Sequence, residues 1–203
     1  MQKFILTEVT KEYFGITLHQ IKATRSFEDV KEGDLGGWVQ KEDNLAQVSG
    51  NAWVSGNAQV SGNAQVSGNA RVYGDARVYG DARVSGNAWV SGNARVYGDA
   101  RVSGDARVSG DAQVYGDAQV SSRKHIAWFS SVGSESGTLT AYMTKEETIE
   151  ITRGCFQGSI DKFEAAVLNR HGDSQYGEAY LVLIQYIRIR FRGVVVETEG
   201  ESE

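Results

Sequence analysis

Residues 70–99 read ARVYGD ARVYGD ARVSGN AWVSGN ARVYGD. The same hexad, Ala-x-Val-Ser/Tyr-Gly-Asn/Asp, runs without insertion through residues 46–121. Thirteen valines, Val48 to Val120, recur every six residues, and thirteen alanines, Ala46 to Ala118, stand two positions ahead of them. Residues two apart on an extended chain point to the same side, so Ala and Val face one way and the x and Ser/Tyr positions face the other. Gly accepts a positive φ without strain and Asn/Asp tolerate the left-handed region, so each hexad ends in a bend. A short strand and a bend every six residues make the unit of a parallel β-helix, three strands to a triangular coil of 18 residues. Twelve complete hexads predict about four coils. With Ala and Val inward, each buried Val contributes roughly 1.5–3 kcal/mol. Collagen is excluded, because Gly recurs every six residues and proline is absent. The period excludes a heptad coiled coil.

Stacking residue i over residue i+18 sorts the outward side chains into three faces. The first carries Trp53, Arg71, Trp89 and Arg107 in one column. The second carries Ser61, Tyr79, Tyr97 and Tyr115, with Arg77 and Arg95 beside them. The third carries Gln65, Arg83, Arg101, Gln119 and serines. Columns of aromatic rings and cations stabilise a sheet by cross-strand stacking, which accounts for them without any ligand. The second face is also the better candidate for recognition, because Tyr and Arg dominate binding hot spots. The candidate binding residues are therefore Arg77, Tyr79, Arg95, Tyr97 and Tyr115, with Trp53, Arg71 and Trp89 on the first face. Asp81, Asp99 and Asp117 share a corner, where Arg83 and Arg101 two residues downstream are expected to compensate them in preference to a metal.

The flanks have a different composition. Lys3–Glu8 and Ile16–Thr24 read as strands around a turn near Gly15, and Glu32–Trp38 as a Gly-rich loop leading into the β-helix. Residues 1–45 are the expected N-terminal β cap, since an open solenoid end would expose its core and backbone to water. Asp34-Leu35-Gly36-Gly37 lacks the Gly-Lys-Ser/Thr ending of a phosphate loop. After residues 46–121, His125–Ser131, Gly137–Tyr142 and Thr148–Thr152 read as three strands. Ser159 is placed as the N-cap of a helix that runs to Gly172. A second helix follows from about Gln175 to Ile187, and residues 187–196 fit helix or strand. Residues 122–193 thus form a small α+β module, and 194–203 an acidic, disordered tail.

The net charge of −5 is concentrated in that tail, and the repeat balances six Arg against six Asp. No basic footprint of a general nucleic-acid binder is present. The single Cys155 points to a reducing, cytoplasmic setting. No apolar run approaches the length of a membrane span, and the N-terminus lacks a signal-peptide core.

The motifs K-F-x-L-T (Lys3–Thr7) and G-D-L-G-G-W-V (Gly33–Val39), ahead of the hexads, resemble those of a group of hypothetical bacteriophage and prophage proteins. So does the C-terminal stretch G-C-F-x-G-S-I-D-K-F … H-G-D-S-Q-Y-G-E-A-Y, Gly154 to Tyr180. That resemblance implies a bacterial host cytoplasm and carries no activity. The hexads alone resemble the hexapeptide acyltransferase superfamily, which implies a left-handed triangular prism. Those enzymes use a histidine base beside a loop extruded between coils, whereas residues 46–121 hold no His, no Cys and no such loop. His19, His125 and His171 lie in the flanks. Cys155 and His171 mark an alternative site; each also has a structural explanation, as a small apolar residue and as a helix-end cation.

The resulting expectation is a mainly β protein without catalytic residues, cofactor or metal. It would be a homo-oligomer, trimer before dimer, that sequesters a host protein or a small anionic ligand on a rigid scaffold. An acyltransferase-like enzyme and a virion- or tail-associated scaffold are the alternatives.

Overall fold

A computed structural model describes residues 2–194. The repeat forms twelve two-residue parallel strands, β4 (Trp53–Val54) through β15 (Gln119–Val120), each the x-Val pair of one hexad. They stack at 18-residue spacing into three sheets, one per face of a triangular prism, in strict register: Trp53 against Arg71 against Trp89 against Arg107, and likewise on the other faces. Val66 and Val84 pair in adjacent coils. Within the repeat, every Ala from Ala52 to Ala118 and every Val from Val54 to Val120 is buried, and together they fill the axis.

The bends differ in detail from the expected ones. Each repeat Gly has a positive φ, but no repeat Asn or Asp does. A bonded four-residue turn such as Ser55–Ala58, with Gly first of its two central residues, follows the II′ pattern. The Asn/Asp side chains instead link coil to coil, as in Asn57 to Asp75 and Asn63 to Asp81, both 3.1 Å. A Cβ on Gly86 would stand 2.8 Å from the backbone of Gly104, so close coil stacking requires glycine there as much as φ does.

The solenoid is longer than four coils. Glu32–Trp38, expected as a loop, contains a strand, β3 (Leu35–Val39), that pairs in parallel with Gln59–Val60. Leu45 bridges to Val66. Both pairings run at 21-residue spacing, so Val39 and Leu45 occupy the inward column and open a fifth turn that carries three extra residues. Those extra residues displace the first hexad: Val48 is 87% exposed, not inward, because Leu45 already fills the place under Val66. Gly36 and Gly37 allow β3 to lie this close, since a Cβ on either would come within 2.8 Å of Ile21, Trp53, Val54 or Ala58.

Side-chain amides satisfy the backbone left unpaired at this end. The Gln47 carboxamide accepts from the Lys3 and Phe4 N–H groups and donates to the Phe4 carbonyl, at 3.0–3.2 Å. Asn44 donates to the carbonyls of Gly62 and Ala64, and Gln40 accepts from the Gly62 N–H. Each amide stands in for a peptide group of the missing next coil. A hairpin, β1 (Phe4–Tyr13) and β2 (Ile16–Ala23), extends the second-face sheet through β3. Lys3 is fully buried, and its Nζ donates to the Ala52 carbonyl at 2.8 Å. Burial pulls its pKa down to about 8, helped by the positive charges of Arg25 and Arg71.

The opposite end is closed by an antiparallel sheet of four strands, not three: β16 (Ile126–Val132), β17 (Gly137–Met143), β18 (Ile149–Arg153) and β19 (Phe156–Ser159). Tyr142 is fully buried in the solenoid's core cluster. Thr140 accepts from the Gln113 N–H and Thr152 donates to the Gln113 carbonyl, both at 3.1 Å, which pairs the last coil of the second face. Two helices cover the sheet's other side. In α1 (Ile160–His171) Ser159 caps the N-terminus and Gly172, with φ 50°, ends it. The ambiguous stretch after Ile187 resolves as helix, because α2 (Gln175–Phe191) buries Ile184, Ile187 and Phe191 at helical spacing. The acidic tail lies outside the described residues apart from Val194. Among the described residues no helix is long and apolar enough to cross a membrane.

Candidate functional site

The first face is largely consumed by the N-terminal cap. Trp53, placed outward by the repeat, is only 4% exposed, because Phe27 packs edge-on against it at 5.5 Å. Arg71 forms ion pairs with Glu28 and Asp29 of the same cap segment. Neither is therefore free to act as the expected binding residue. Trp89 remains half-exposed, with the Arg107 guanidinium 4.0 Å from its ring centre and Tyr73 edge-on at 6.1 Å. The cavity on this face is large, about 610 Å³, but its one cation is already neutralised by two carboxylates that also line it.

The second face is different. Tyr79, Tyr97 and Tyr115 stack in a column with ring centres 4.8 and 4.6 Å apart and planes within 12° of parallel. Burial raises all three hydroxyl pKa values, that of Tyr97 to about 12 with a ring on either side of it. Arg77 and Arg95 pair across neighbouring coils beside this column. Among the described residues no carboxylate lies within ion-pairing distance of either, and the buried Arg77 Nε has no hydrogen-bond partner.

The hairpin of the N-terminal cap turns this face into a cleft. Its tip, Tyr13-Phe14-Gly15-Ile16, leans over the start of the column, and Tyr13 lies under the Arg77 guanidinium at 4.7 Å. The cleft is about 410 Å³ and mainly apolar in lining. Tyr13, Phe14 and Ile16 form one wall, and Gln59, Ser61, Arg77, Tyr79 and Arg95 the other. Arg77, Tyr79 and Arg95 are thus brought together as a site, while Tyr97 and Tyr115 continue the stack away from it. The hairpin wall was not anticipated from the repeat. The one local signal was the pair Phe14-Gly15, where a tight hairpin turn ordinarily takes Asn-Gly or Asp-Gly.

Two other candidates are placed by the structure. Asp81, Asp99 and Asp117 do share a corner, but among the described residues no ion pair links them to Arg83 or Arg101 as the sequence suggested. Asn63 donates to Asp81 instead. The neighbouring Glu146 carboxyl pushes the pKa of Asp117 up. Cys155 and His171 line one C-terminal cavity of about 400 Å³ with Arg153, Phe156, Arg170 and Tyr180. Cys155 is exposed at its turn, and His171 sits in the last turn of α1 with its ring 5.7 Å from that of Tyr180.

The hexads match the family model described as the YdcK beta solenoid repeat, over residues 46–62, 64–78, 76–92, 88–102, 94–110 and 100–116. The repeat is similar to the YdcK solenoid. The match lies within the prism and reaches neither cap, so it concerns the scaffold and leaves the hairpin wall and the C-terminal module outside it. No curated protein matches the chain.

Proposed function

We propose that this protein is a non-catalytic binding protein that captures a small anionic ligand in the cleft between the Phe14 hairpin and the second face. One observation carries the reading: two adjacent arginines, Arg77 and Arg95, line a mainly apolar cleft without a carboxylate partner. A cation held against apolar walls is incompletely solvated, and an anion entering there gains charge-assisted hydrogen bonds worth more than in open water. Arginine presents a planar fork suited to carboxylate or phosphate. The scaffold supports the same reading, since a solenoid with bonded coils holds both arginines in fixed register and little ordering is needed on binding.

The resemblance of both flanks to bacteriophage proteins suggests the setting, sequestration of a host factor or host signalling molecule in a bacterial cytoplasm. A homo-oligomer is part of the same proposal, and on the first face Trp89, not the buried Trp53, is the aromatic surface open to a second copy. The acyltransferase alternative has little to stand on. The cleft contains no histidine or cysteine, and the Cys155–His171 cavity lies in the C-terminal module.

The test is retention. Protein incubated with a bacterial metabolite extract, re-isolated and denatured should release an anionic small molecule detectable by mass spectrometry. The Arg77→Gln/Arg95→Gln variant should release at least tenfold less. Equal release from both, or none from the unaltered protein, overturns the reading.

A further inference from the structure

The tyrosine column stops one coil short of the cleft's end. Tyr115, Tyr97 and Tyr79 occupy three successive coils at a 4.6–4.8 Å repeat, and the next position in the column is Ser61. The outer face of the Tyr79 ring therefore has no stacking ring upon it among the described residues, while both Tyr79 and Ser61 line the cleft. Ser61 thus leaves the next ring position of the column unfilled, on the wall of a cleft of about 410 Å³. Beside it stand Gln59 on the same coil and Arg77 on the next, the latter with its buried Nε unpartnered.

Phe14 closes the other side. Tyr13 and Ile16 are joined by the two residues Phe14 and Gly15, with φ of 49° and 74°. Positive φ at both positions follows the I′ pattern, which favours Asn or Asp first and strains a bulky residue. Phe14 is also 89% exposed, with its ring edge-on to that of Tyr13 at 4.6 Å, so neither backbone preference nor burial explains a phenyl ring there. A strained, solvent-exposed aromatic residue at the mouth of a cleft points to function.

Resting on the anion-binding reading above, we infer that the ligand carries a planar aromatic ring, which takes the place of a fourth tyrosine over Ser61. It stacks on Tyr79, is covered by Phe14, and presents its carboxylate or phosphate to Arg77 and Arg95. Stacking on an aromatic platform tolerates many ring systems, so the shared chemistry is ring plus anion, met by a nucleoside monophosphate or by an aromatic acid.

Calorimetry with four probes separates the components. AMP and indole-3-carboxylate carry ring and anion, ribose 5-phosphate the anion alone, adenosine the ring alone. At least one of the first pair should bind tenfold or more tightly than either of the second pair, and which of them binds tells a nucleotide from an aromatic acid. The decisive variant is Ser61→Tyr. It places in the column the residue the repeat already uses at 79, 97 and 115, so the fold should persist with an unchanged or higher melting temperature, and ring-probe affinity should fall at least tenfold. Should that variant fail to fold, Phe14→Asn gives an independent reading: a better turn residue that raises the melting temperature while weakening the ring probe. Ribose 5-phosphate binding as tightly as AMP, with Ser61→Tyr and Phe14→Asn neutral, would overturn the ring and leave the anion site intact. Binding by neither ring-bearing anion at millimolar concentration overturns the ring assignment. Loss of retention in the extract experiment as well would remove the anion site too.

Discussion

The first and second faces of the prism are built from the same alphabet and end differently. Each carries aromatic rings and arginines in columns set by the same 18-residue period, on sheets with the same register. On the first face the N-terminal cap lays Phe27 on Trp53 and two carboxylates on Arg71, converting outward residues into an interface within the chain. On the second face the same cap extends the sheet with a hairpin, whose tip leaves Arg77 and Arg95 without a carboxylate and walls off a cleft. Residue type in a repeat thus does not decide whether a column is covered or left open. The non-repeating segment that happens to cover each column does.

The largest test reaches beneath both faces. Val84 is fully buried on the axis, between Val66 and Val102. Val84→Asp should destabilise by roughly 4 kcal/mol or more, because it buries a charge no basic side chain can reach. Unchanged thermal unfolding of a soluble variant would undo the common interior on which the comparison rests.

A smaller effect is specific to the capped end. Lys3 lies against Phe27 with Arg25 and Arg71 nearby, and its pKa is about 8 against 10.5 unperturbed. Between those values the unfolded chain holds a proton that the folded chain has released. The Lys3 contribution is therefore greatest above the upper value, declines as pH falls through the window, and is wholly lost below about 8. The slope approaches 1.4 kcal/mol per pH unit, which amounts to roughly 3 kcal/mol across the window from 10.5 to about 8. Tyrosines with raised pKa values, such as Tyr97, act in the opposite sense only above about 10. Denaturant midpoints should accordingly rise from pH 8 to 9.5 in the unaltered protein and stay flat in Lys3→Met. Parallel profiles would show that Lys3 is not the titrating group.

The smallest effect separates the faces directly. Arg71→Gln removes both ion pairs that hold the cap segment and should cost about 1 kcal/mol, with protease cleavage appearing first near Glu28. Arg95→Gln, which breaks no ion pair, should change stability by less than ~0.5 kcal/mol. Equal losses at the two positions would mean that Arg95 is structural, and the contrast between the faces would fail.

Much of the fold was legible because the repeat states it thirteen times. Val at every sixth position and Ala two ahead specify an inward face, and only a coil of three such strands buries it, so the columns of all three faces follow by counting. Counting failed where periodicity ends. Val48 satisfies the pattern and lies outside the core, because the first turn carries three residues more than the others and Leu45 arrives in its place. Glu32–Trp38 looked like a loop because Gly36 and Gly37 disfavour a strand in isolation, yet the crowding against Ile21, Trp53 and Val54 admits no other residue. The missed strand, Phe156–Ser159, is short and contains Gly158, so it exists by pairing with β18 and not by its own pattern.

The candidate site divides the same way. That Arg77, Tyr79 and Arg95 stand together on one face was legible in the sequence, since stacking in a solenoid is a matter of arithmetic along the chain. The wall of Tyr13, Phe14 and Ile16 was not, because these residues stand about 60 to 80 residues earlier, and nothing local says over which face the hairpin will lean. The sequence by itself determined the prism, its interior and the order of every outward column, because in a solenoid each coil contacts mainly its neighbours and spacing along the chain becomes spacing in the structure. Only the tertiary structure decided which column is covered, which arginine is neutralised and where a cavity opens. Those outcomes depend on contacts between repeat and cap that have no period, and a single chain carries no short-range signal for them.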